Sequence, residues 1–247
     1  MRRAVRAAVF ATMLCLASPA MAAPGDLQTY ELTGTVGTHP IGMSLTIKGG
    51  AQIDVAHYFY DSQLKDIVLV GSESGPLLTL MEPGGGLFKL KLQGNGGVGG
   101  DGSSLATSVA AAGTWTQGTE MLPVKLSMDS AYAGAPSGHL YADVTSASDA
   151  AFEARVKGFL DAVLAGKKAA AAALVAYPLT VNGGAHPMSV QSAAQLAANW
   201  DRIFTPALLA QLRTAVPHEM FVHESQAMVA GGAAWFGAKG ATTLNEP

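Results

Sequence analysis

Histidines are the residues of this chain best suited to acid–base or metal chemistry, and the sequence scatters them. They are His39, His57, His139, His186, His218 and His223. No two have the spacing of H-E-x-x-H or of another compact ligand motif, and His218 and His223 would point to opposite sides of one strand. An isolated histidine is more often a surface or hydrogen-bonded core residue than a ligand. The sequence therefore predicts no metal ion, no cofactor and no catalytic residue.

Two glycine-rich stretches match parts of known functional motifs. Residues 94–99 fit G-x-G-x-x-G, but more glycines follow and no helix does, which favours a hairpin loop over a dinucleotide site. The same loop holds one partial copy of a calcium-binding nonapeptide, whereas calcium binding needs stacked repeats. Residues 71–75 have no serine at their centre and are not a nucleophile elbow. A Ser-His-Asp triad assembled in space stays open.

Helices organise the chain from Phe152 onward. The apolar spacing over residues 152–164 predicts an amphipathic helix, which Asp149 caps and Gly166 ends. Residues 168–175 predict a short alanine-rich helix. Further on, residues 192–195 have the spacing of a capping box, and a helix over 196–204 follows. Thr205 and Pro206 then begin another helix, which ends before Pro217.

Strand patterns accompany these helices. They fall at residues 177–181, with Pro178 at an edge or bulge, and at 220–224, 226–229, 233–236 and 242–244. Helices followed by a curved antiparallel sheet that wraps them form an α+β arrangement. The segments "FEARVKGFLDAVLAGKKAAAAALVAYPL", "NWDRIFTPAL", "EMFVHESQAMVAGGAAWF" and "TTLN" resemble the nuclear transport factor 2-like (SnoaL-like) cone fold of bacterial periplasmic proteins. The resemblance implies a cone domain over residues 149–247.

Cone folds enclose a pocket between their helices and their sheet. The resemblance implies that this pocket is lined by Tyr177, Trp200, Asp201, His223, Glu224 and Trp235. Trp200 also continues the apolar stripe of its helix, so core packing is the stronger interpretation. We therefore expect Phe159 and Trp200 to face the sheet that includes Trp235.

The first half of the chain predicts an antiparallel all-β domain, a meander or barrel over residues 23–128. Its strand patterns fall at residues 31–36, 41–48, 53–60, 66–70, 77–81, 88–92 and 122–128. The string "GTVGTHPIGMSLTI … AHYFYD … IVLVGS … LTLME … LFKLKLQG … GTWT … LPVKLSM" resembles an uncharacterised β-domain of secreted proteobacterial proteins. Small, polar and turn-forming residues predict a linker over 129–148.

Residues 1–22 have the features of a secretory signal. Three arginines precede a short apolar run, and an A-x-A site predicts cleavage after Ala22, so we expect a periplasmic protein that begins at Ala23. The apolar run is too short to span a bilayer, and no transmembrane segment is expected in the mature chain. Cleavage removes the three arginines, which changes the formal net charge from −3 to −6. Such a surface disfavours nucleic acid as a partner.

Three functions are compatible with these sequence features. The first is a non-catalytic binding module for a periplasmic protein or a small apolar ligand, with a homodimer as one arrangement. The second is an inhibitor or immunity protein against a cell-wall-directed hydrolase, acting through a convex acidic loop around Glu73 or Asp101. The third is a hydrolase or isomerase that uses Asp201 or His223 in the cone pocket. The lack of a compact catalytic motif favours the first.

Overall fold

The computed structural model describes residues 26–97, 99–136, 138–183 and 187–247. The predicted export signal, with its cleavage site after Ala22, lies outside the described residues, as does His186. Within the described ranges, no helix has the length and the apolar character needed to cross a membrane.

The first half of the chain forms a nine-stranded antiparallel sheet. Its strands are β1 (Leu27–Val36), β2 (His39–Lys48), β3 (Gln52–Tyr60), β4 (Ile67–Val68), β5 (Val70–Ser74), β6 (Leu77–Met81), β7 (Leu87–Gln93), β8 (Ala110–Gln117) and β9 (Glu120–Ala133). Their order in the sheet is β4-β3-β2-β1-β9-β8-β7-β6-β5. Alternation sets the faces, as in β7, where Phe88, Leu90 and Leu92 are buried and the two lysines between them are exposed.

This sheet nearly closes on itself. β4 and β5 lie at its two ends in the pairing order, yet in the chain they are separated by Leu69 alone. The Leu69 N–H donates to the carbonyl oxygen of Ala56 on β3 at 2.8 Å, which joins the two ends. Gly34 and Gly113 allow neighbouring strands of the curved sheet to approach closely, because a Cβ atom at either position would collide with the carbonyl of Lys125 or Lys89, respectively. The result is a barrel-like sheet with its own apolar interior.

A second sheet and five short to medium helices form the rest of the structure. The helices are α1 (Asp149–Leu164), α2 (Lys168–Ala172), α3 (Ala193–Ala198), α4 (Trp200–Ile203) and α5 (Pro206–Leu212). The strands are β10 (Val175–Asn182), β11 (Met188–Val190), β12 (Phe221–His223), β13 (Gln226–Val229), β14 (Ala234–Gly237) and β15 (Gly240–Asn245). They pair in the order β11-β10-β15-β14-β13-β12, and β10 runs parallel to β15, so the sheet is mixed instead of wholly antiparallel.

The helix caps follow the sequence signals with one change. Ser192 accepts a hydrogen bond from the Gln195 N–H, and Thr205 accepts one from the Leu208 N–H, as predicted. α1 is capped by Ser148 and not by Asp149. The Asp149 carboxylate is instead occupied by the backbone N–H groups of residues 140 and 141, which precede the helix.

The core of the C-terminal part lies between α1, the other helices and the second sheet. Phe159 is fully buried between Phe204 and Phe236, with ring centroids 6.4 and 5.4 Å away, and Trp200 packs on Phe204 at 4.3 Å. Phe159 therefore faces the sheet that includes Trp235, and its contact on that sheet is the neighbouring residue Phe236. Strand alternation turns Phe236 inward and leaves Trp235 half-buried.

The two apolar cores share no residue. One contains buried residues between Tyr30 and Leu126, and the other contains buried residues between Tyr141 and Leu244. β9 continues to Ala133, through the first five residues of the predicted linker, and Tyr141 is already part of the second core. The ordered chain therefore leaves less room for a linker than residues 129–148.

Candidate functional site

The outer surface of the barrel has a groove where its two ends meet, which we call the seam groove. It encloses about 260 Å³ and is lined by Asp54, Val55, Ala56, His57, Asp66, Val68, Leu69 and Val70. Residues 54–57 lie on β3, and the others lie on β4, on β5 or directly beside β4.

The groove exists because pairing across the seam stops early. β4 pairs with β3 at His57 and Tyr58, and the Leu69 N–H extends this contact to Ala56. Among the described strands, β5 has ladder partners on β6 alone, and the first residues of β3 have theirs on β2. The facing edges of β3 and β5 are therefore unpaired beyond Ala56.

Valine side chains make the seam groove apolar. Val55, Val68 and Val70 are 46%, 58% and 57% exposed. Val55 and His57 alternate on the outer face of β3, and Val68 lies opposite His57 on β4. These three exposed β-branched residues on adjoining strands form an apolar patch that is not part of the barrel core.

The inner end of the groove is polar and reaches the C-terminal part of the chain. Six titratable residues meet there, and we call them the junction cluster: Glu31, His57, Asp66, Glu153, His218 and Glu219. Three come from the barrel region and three from α1 and the turn before β12. The cluster is thus the charged contact between the two cores.

His218 is held on three sides. Its Nε2 lies 2.9 Å from Oδ1 of Asp66, and its Nδ1 lies 2.8 Å from Oε2 of Glu153. Its ring stands edge-on to Phe59, with centroids 4.4 Å apart. Phe59 can occupy the outer face of β3 because its strand neighbour Gly42 has no Cβ to collide with the ring. Burial lowers the pKa of His218, but its hydrogen bonds to the two carboxylates outweigh this effect and raise the pKa to about 10.

His57 makes the shortest contact in the cluster. Its Nε2 lies 2.5 Å from Oε1 of Glu219 and 3.8 Å from Oδ1 of Asp66. Burial lowers the pKa of His57, while the hydrogen bond and the charge of Glu219 raise it, and the net direction is upward. His218, whose pKa is about 10, therefore carries a proton at neutral pH, and the pKa of His57 is shifted in the same direction.

Backbone and side-chain contacts fix Glu219 in its position. Its φ is +48°, a left-handed conformation that a non-glycine residue adopts at a cost. Its N–H donates to Oε1 of Glu153 at 3.3 Å, and the next N–H, of Met220, donates to the Tyr141 hydroxyl at 3.0 Å. The Tyr141 hydroxyl in turn donates to Glu153 at 2.8 Å. α1 thereby sets the turn that carries Glu219 to the barrel.

Glu31 adds a further carboxyl at the edge of the cluster. It accepts hydrogen bonds from the hydroxyls of Ser44 at 3.0 Å and Tyr132 at 3.1 Å. Burial, with a smaller contribution from the charge of Glu219, raises the pKa of Glu31 from 4.5 to about 7. Glu31 therefore holds a proton more tightly than a free glutamate does.

Three atoms of the cluster converge as metal ligands would. They are Nε2 of His57 and one carboxylate oxygen each of Asp66 and Glu219, and all lie within 4.8 Å of one another. This arrangement was not predicted, since the sequence indicated no metal ligands.

The predicted cone-pocket residues are spread over the C-terminal part. Trp200 is 7% exposed in the core, and the half-buried Tyr177 donates its hydroxyl to the Ala172 carbonyl at 3.2 Å. Asp201 is exposed on α4, and His223 is exposed on β12 beside Glu224. His218 is outside the strand that was expected to hold it together with His223. All three polar candidates, Asp201, His223 and Glu224, thus face solvent.

The acidic residues considered for an inhibitory loop have local roles. Glu73 accepts a hydrogen bond from the Leu105 N–H at 3.0 Å and is partly buried. Asp101 is exposed, and its carboxylate accepts hydrogen bonds from the N–H and hydroxyl of Ser103. Both side chains stabilise the loop between β7 and β8.

A second groove lies between α2 and α3. It encloses about 410 Å³ and is lined by Lys168, Ala169, Ala172, Ala173, Ala193 and Ala197. The Lys168 ammonium lies 5.7 Å from the centre of the Trp200 ring. Alanines give this surface a shallow apolar floor with few groups to orient a ligand.

Comparison with known proteins indicates no relative. No protein-family model matches the chain, and neither a curated protein nor a solved structure matches it. The seam groove and the junction cluster are therefore the features that indicate a function.

Sequence reasoning missed the cluster because its members are far apart in the chain. His57 and Glu219 are separated by 162 positions. The alternation along β3 does place His57 on the outer face with Val55, and that signal could have identified it. Nothing in the sequence spacing could have paired it with Glu219.

Proposed function

We propose that this protein is a non-catalytic binding module that holds an extended polypeptide segment in the seam groove. The observation that carries this proposal is the open seam, where β3 and β5 present unpaired strand edges beside three exposed valines. An unpaired edge is a template for a further strand, which binds through main-chain hydrogen bonds.

The geometry of the seam supports strand addition. β4 pairs antiparallel with β3, and the last hydrogen bond between them joins Leu69 to Ala56. Beyond it, residues 52–55 of β3 could pair with a further strand in the same register, because β5 does not pair with them. A segment added there would find backbone donors and acceptors on the free edge of β3 or of β5. Val55, Val68 and Val70 would contact every second side chain of the segment, because strand side chains alternate.

Charge indicates the composition of the bound segment. Asp54 is exposed at the groove, and the Asp66 side chain is 48% exposed at its polar end. The whole chain has a formal net charge of −3. A segment that alternates apolar residues and carries at least one lysine or arginine would match both the valines and these carboxylates.

The rest of the chain supports the groove in this proposal. The barrel and the C-terminal part act as two domains joined at the junction cluster, and the second has the cone arrangement that its sequence resembles. Export to the periplasm would place the groove among extracytoplasmic proteins, and a homodimer in which a second copy supplies the segment is one form of the interaction. Small apolar ligands remain the candidates for the alanine-lined groove.

Selection from a library of random short peptides tests this function. Peptides are selected on the wild-type protein and counter-selected on the Val68→Lys/Val70→Lys variant, which keeps the fold because both side chains are exposed. We expect enriched peptides with alternating apolar residues and a basic residue. Their affinity, measured by fluorescence polarisation, should fall at least about tenfold on the double variant, which corresponds to about 1.4 kcal/mol.

Met121→Lys is the matched control, because Met121 is 66% exposed on the barrel but does not line the groove. Its affinity for the selected peptides should equal that of wild type. N-methylation of alternate peptide bonds should abolish binding if the segment pairs as a strand. Failure to enrich any peptide, or equal binding to the double variant, would refute the proposal.

A further inference from the structure

The inner end of the seam groove brings together three potential metal ligands from three parts of the chain. His57 lies on β3, Asp66 directly precedes β4, and Glu219 lies in the turn before β12. Their ligand atoms lie within 4.8 Å of one another. We propose that His57, Asp66 and Glu219 bind a divalent transition metal ion, with zinc as the ion that suits them best.

The distances agree with a tetrahedral site after small side-chain movements. Zinc bonds of about 2.0–2.2 Å place the atoms of a tetrahedral ligand set roughly 3.3–3.6 Å apart. The separation of Nε2 of His57 from Oε1 of Glu219 is 2.5 Å, and that from Oδ1 of Asp66 is 3.8 Å. On metal binding, the distance from His57 to Glu219 must increase and the distance from His57 to Asp66 must decrease, each by less than the length of a zinc–ligand bond.

The ligand types select the class of ion. One imidazole nitrogen with two carboxylate oxygens suits zinc and its first-row neighbours. Calcium prefers six to eight oxygens, and magnesium keeps several waters in an octahedral shell. Three side chains that include an imidazole therefore favour a transition metal over either of these ions.

The position is partly enclosed and has an entry path. The side chains of His57 and Glu219 are 14% and 13% exposed, whereas that of Asp66 is 48% exposed toward the groove. A fourth coordination position would face the groove, where water or a bound group can occupy it. An open fourth position is typical of sites that exchange ligands.

His218 provides the outer support that metal ligands usually have. Its Nε2 contacts Oδ1 of Asp66 at 2.9 Å, and its other ring nitrogen contacts Glu153 at 2.8 Å. This contact holds the Asp66 carboxylate in place, and each of its oxygens has two lone pairs, so one oxygen can accept this hydrogen bond and also bind a metal. Residues in this supporting position often change metal affinity by about 10- to 100-fold when they are replaced.

Metal binding would also improve the charge balance of the cluster. Four carboxyl groups, those of Glu31, Asp66, Glu153 and Glu219, meet two histidines there. A divalent cation held by His57, Asp66 and Glu219 would bring positive charge to this excess of acidic groups. This inference is independent of the proposed peptide binding, since it depends on the three ligands and not on the unpaired strand edges.

Isothermal titration of tag-free, chelator-treated protein with zinc chloride tests the inference. We expect one zinc ion per chain on wild type. Asp66→Asn and His57→Gln should each weaken binding by at least about tenfold, and His218→Gln should weaken it by about tenfold through loss of support. Asp66→Asn is the decisive variant because its half-exposed side chain can change without unfolding the chain.

His223→Gln is the matched control, because His223 and Glu224 form an exposed histidine–carboxylate pair elsewhere on the surface. Its zinc affinity should equal that of wild type. Circular dichroism confirms that each variant is folded before titration. The inference is refuted if folded wild type binds no zinc, or if Asp66→Asn and His57→Gln bind it as wild type does.

Discussion

The two sheets of this molecule bury their apolar faces in different ways. The nine-stranded sheet curves until its ends meet and encloses its own core, with residues such as Leu32, Leu78 and Phe88 at 0–1% exposure. The six-stranded sheet stays open and is covered by α1 and the later helices, with Phe159 against Phe236. Self-closure concentrates imperfect pairing at one seam, whereas an open sheet depends on helices for cover. The barrel therefore provides the groove, and the helical part provides the residues that close its end.

The polar groups of the barrel differ from those at the junction between the two cores. Near one end of the barrel, Glu82 accepts hydrogen bonds from the Tyr58 hydroxyl at 2.7 Å and from Nε1 of Trp115 at 2.6 Å. At the junction, two histidines and several carboxylates lie between the apolar cores. The comparison indicates that each core is stabilised by apolar burial and that their contact is governed by charge.

Removing one buried ring from each core should have the largest effect on stability. Phe88→Ala and Phe159→Ala each delete a side chain with 0% exposure and should lower the free energy of unfolding by about 3–5 kcal/mol. Trp200→Ala should cost a similar amount. Urea unfolding followed by circular dichroism and tryptophan fluorescence measures the change. If the cores unfold separately, each variant shifts one transition, and a common shift in both variants would show a single cooperative unit.

Loss of the Glu82 carboxylate should destabilise the barrel by a smaller amount. Glu82→Ala leaves the Tyr58 hydroxyl and the Trp115 N–H without their acceptor, which should cost about 2–3 kcal/mol. Glu82→Gln keeps one acceptor oxygen and is the matched control, with a smaller loss. Thermal melts measure both. Equal melting temperatures for Glu82→Ala and wild type would contradict this account of the barrel.

The charged junction should make stability fall at alkaline pH. The pKa of His218 is raised from 6.5 to about 10, so its contribution is fully present below pH 6.5 and is lost as pH rises through 10. We expect His218→Gln to lower the free energy of unfolding by about 2 kcal/mol near pH 7 and to have little effect near pH 11. Urea titrations across this range measure the difference. A pH-independent effect would show that packing on Phe59, and not charge, is lost.

The smallest change should be a gain in stability at Glu31. Its pKa is raised from 4.5 to about 7, so the folded state holds the proton more tightly, and the free energy of unfolding falls as pH rises between these values. Glu31→Gln should therefore stabilise the protein by about 1–2 kcal/mol near pH 8 and by almost nothing near pH 4. Glu120→Gln, on an exposed position of β9, is the control. Destabilisation by Glu31→Gln at pH 8 would contradict the assignment.

Much of the fold follows from local sequence signals. Residues 77–81 and 226–229 were predicted as strands with the bounds that the structure has, and the capping residues Ser192 and Thr205 begin helices as expected. β8 was missed because it begins with alanines and a glycine, which have low strand propensity. It is a strand because β7 and β9 pair with both of its edges. The local sequence pattern of a strand does not show tertiary pairing of this kind.

The candidate site was less predictable than the fold. The apolar alternation that identified β3 also places Val55 on its outer face, but it does not show that pairing with β5 fails. The meeting of His57 with Glu219 depends on how α1 positions a distant turn through Glu153 and Tyr141. Chemistry assembled from separate elements needs the tertiary structure, and the cone-pocket residues were chosen without it.

The pairing of β1 with both β2 and β9 has a consequence for the order in which the protein forms. β1 to β3 can pair as soon as they are made, since short turns join them. The other edge of β1 pairs with β9, which lies much further along the chain. The Thr29 hydroxyl, for example, donates to the carbonyl of Gly134, which is 105 positions away in the sequence. Until β9 is in place, the early strands therefore present an open edge on β1. Completion of the barrel is a late event in folding, and the junction cluster also requires His218 and Glu219, which come later still in the chain.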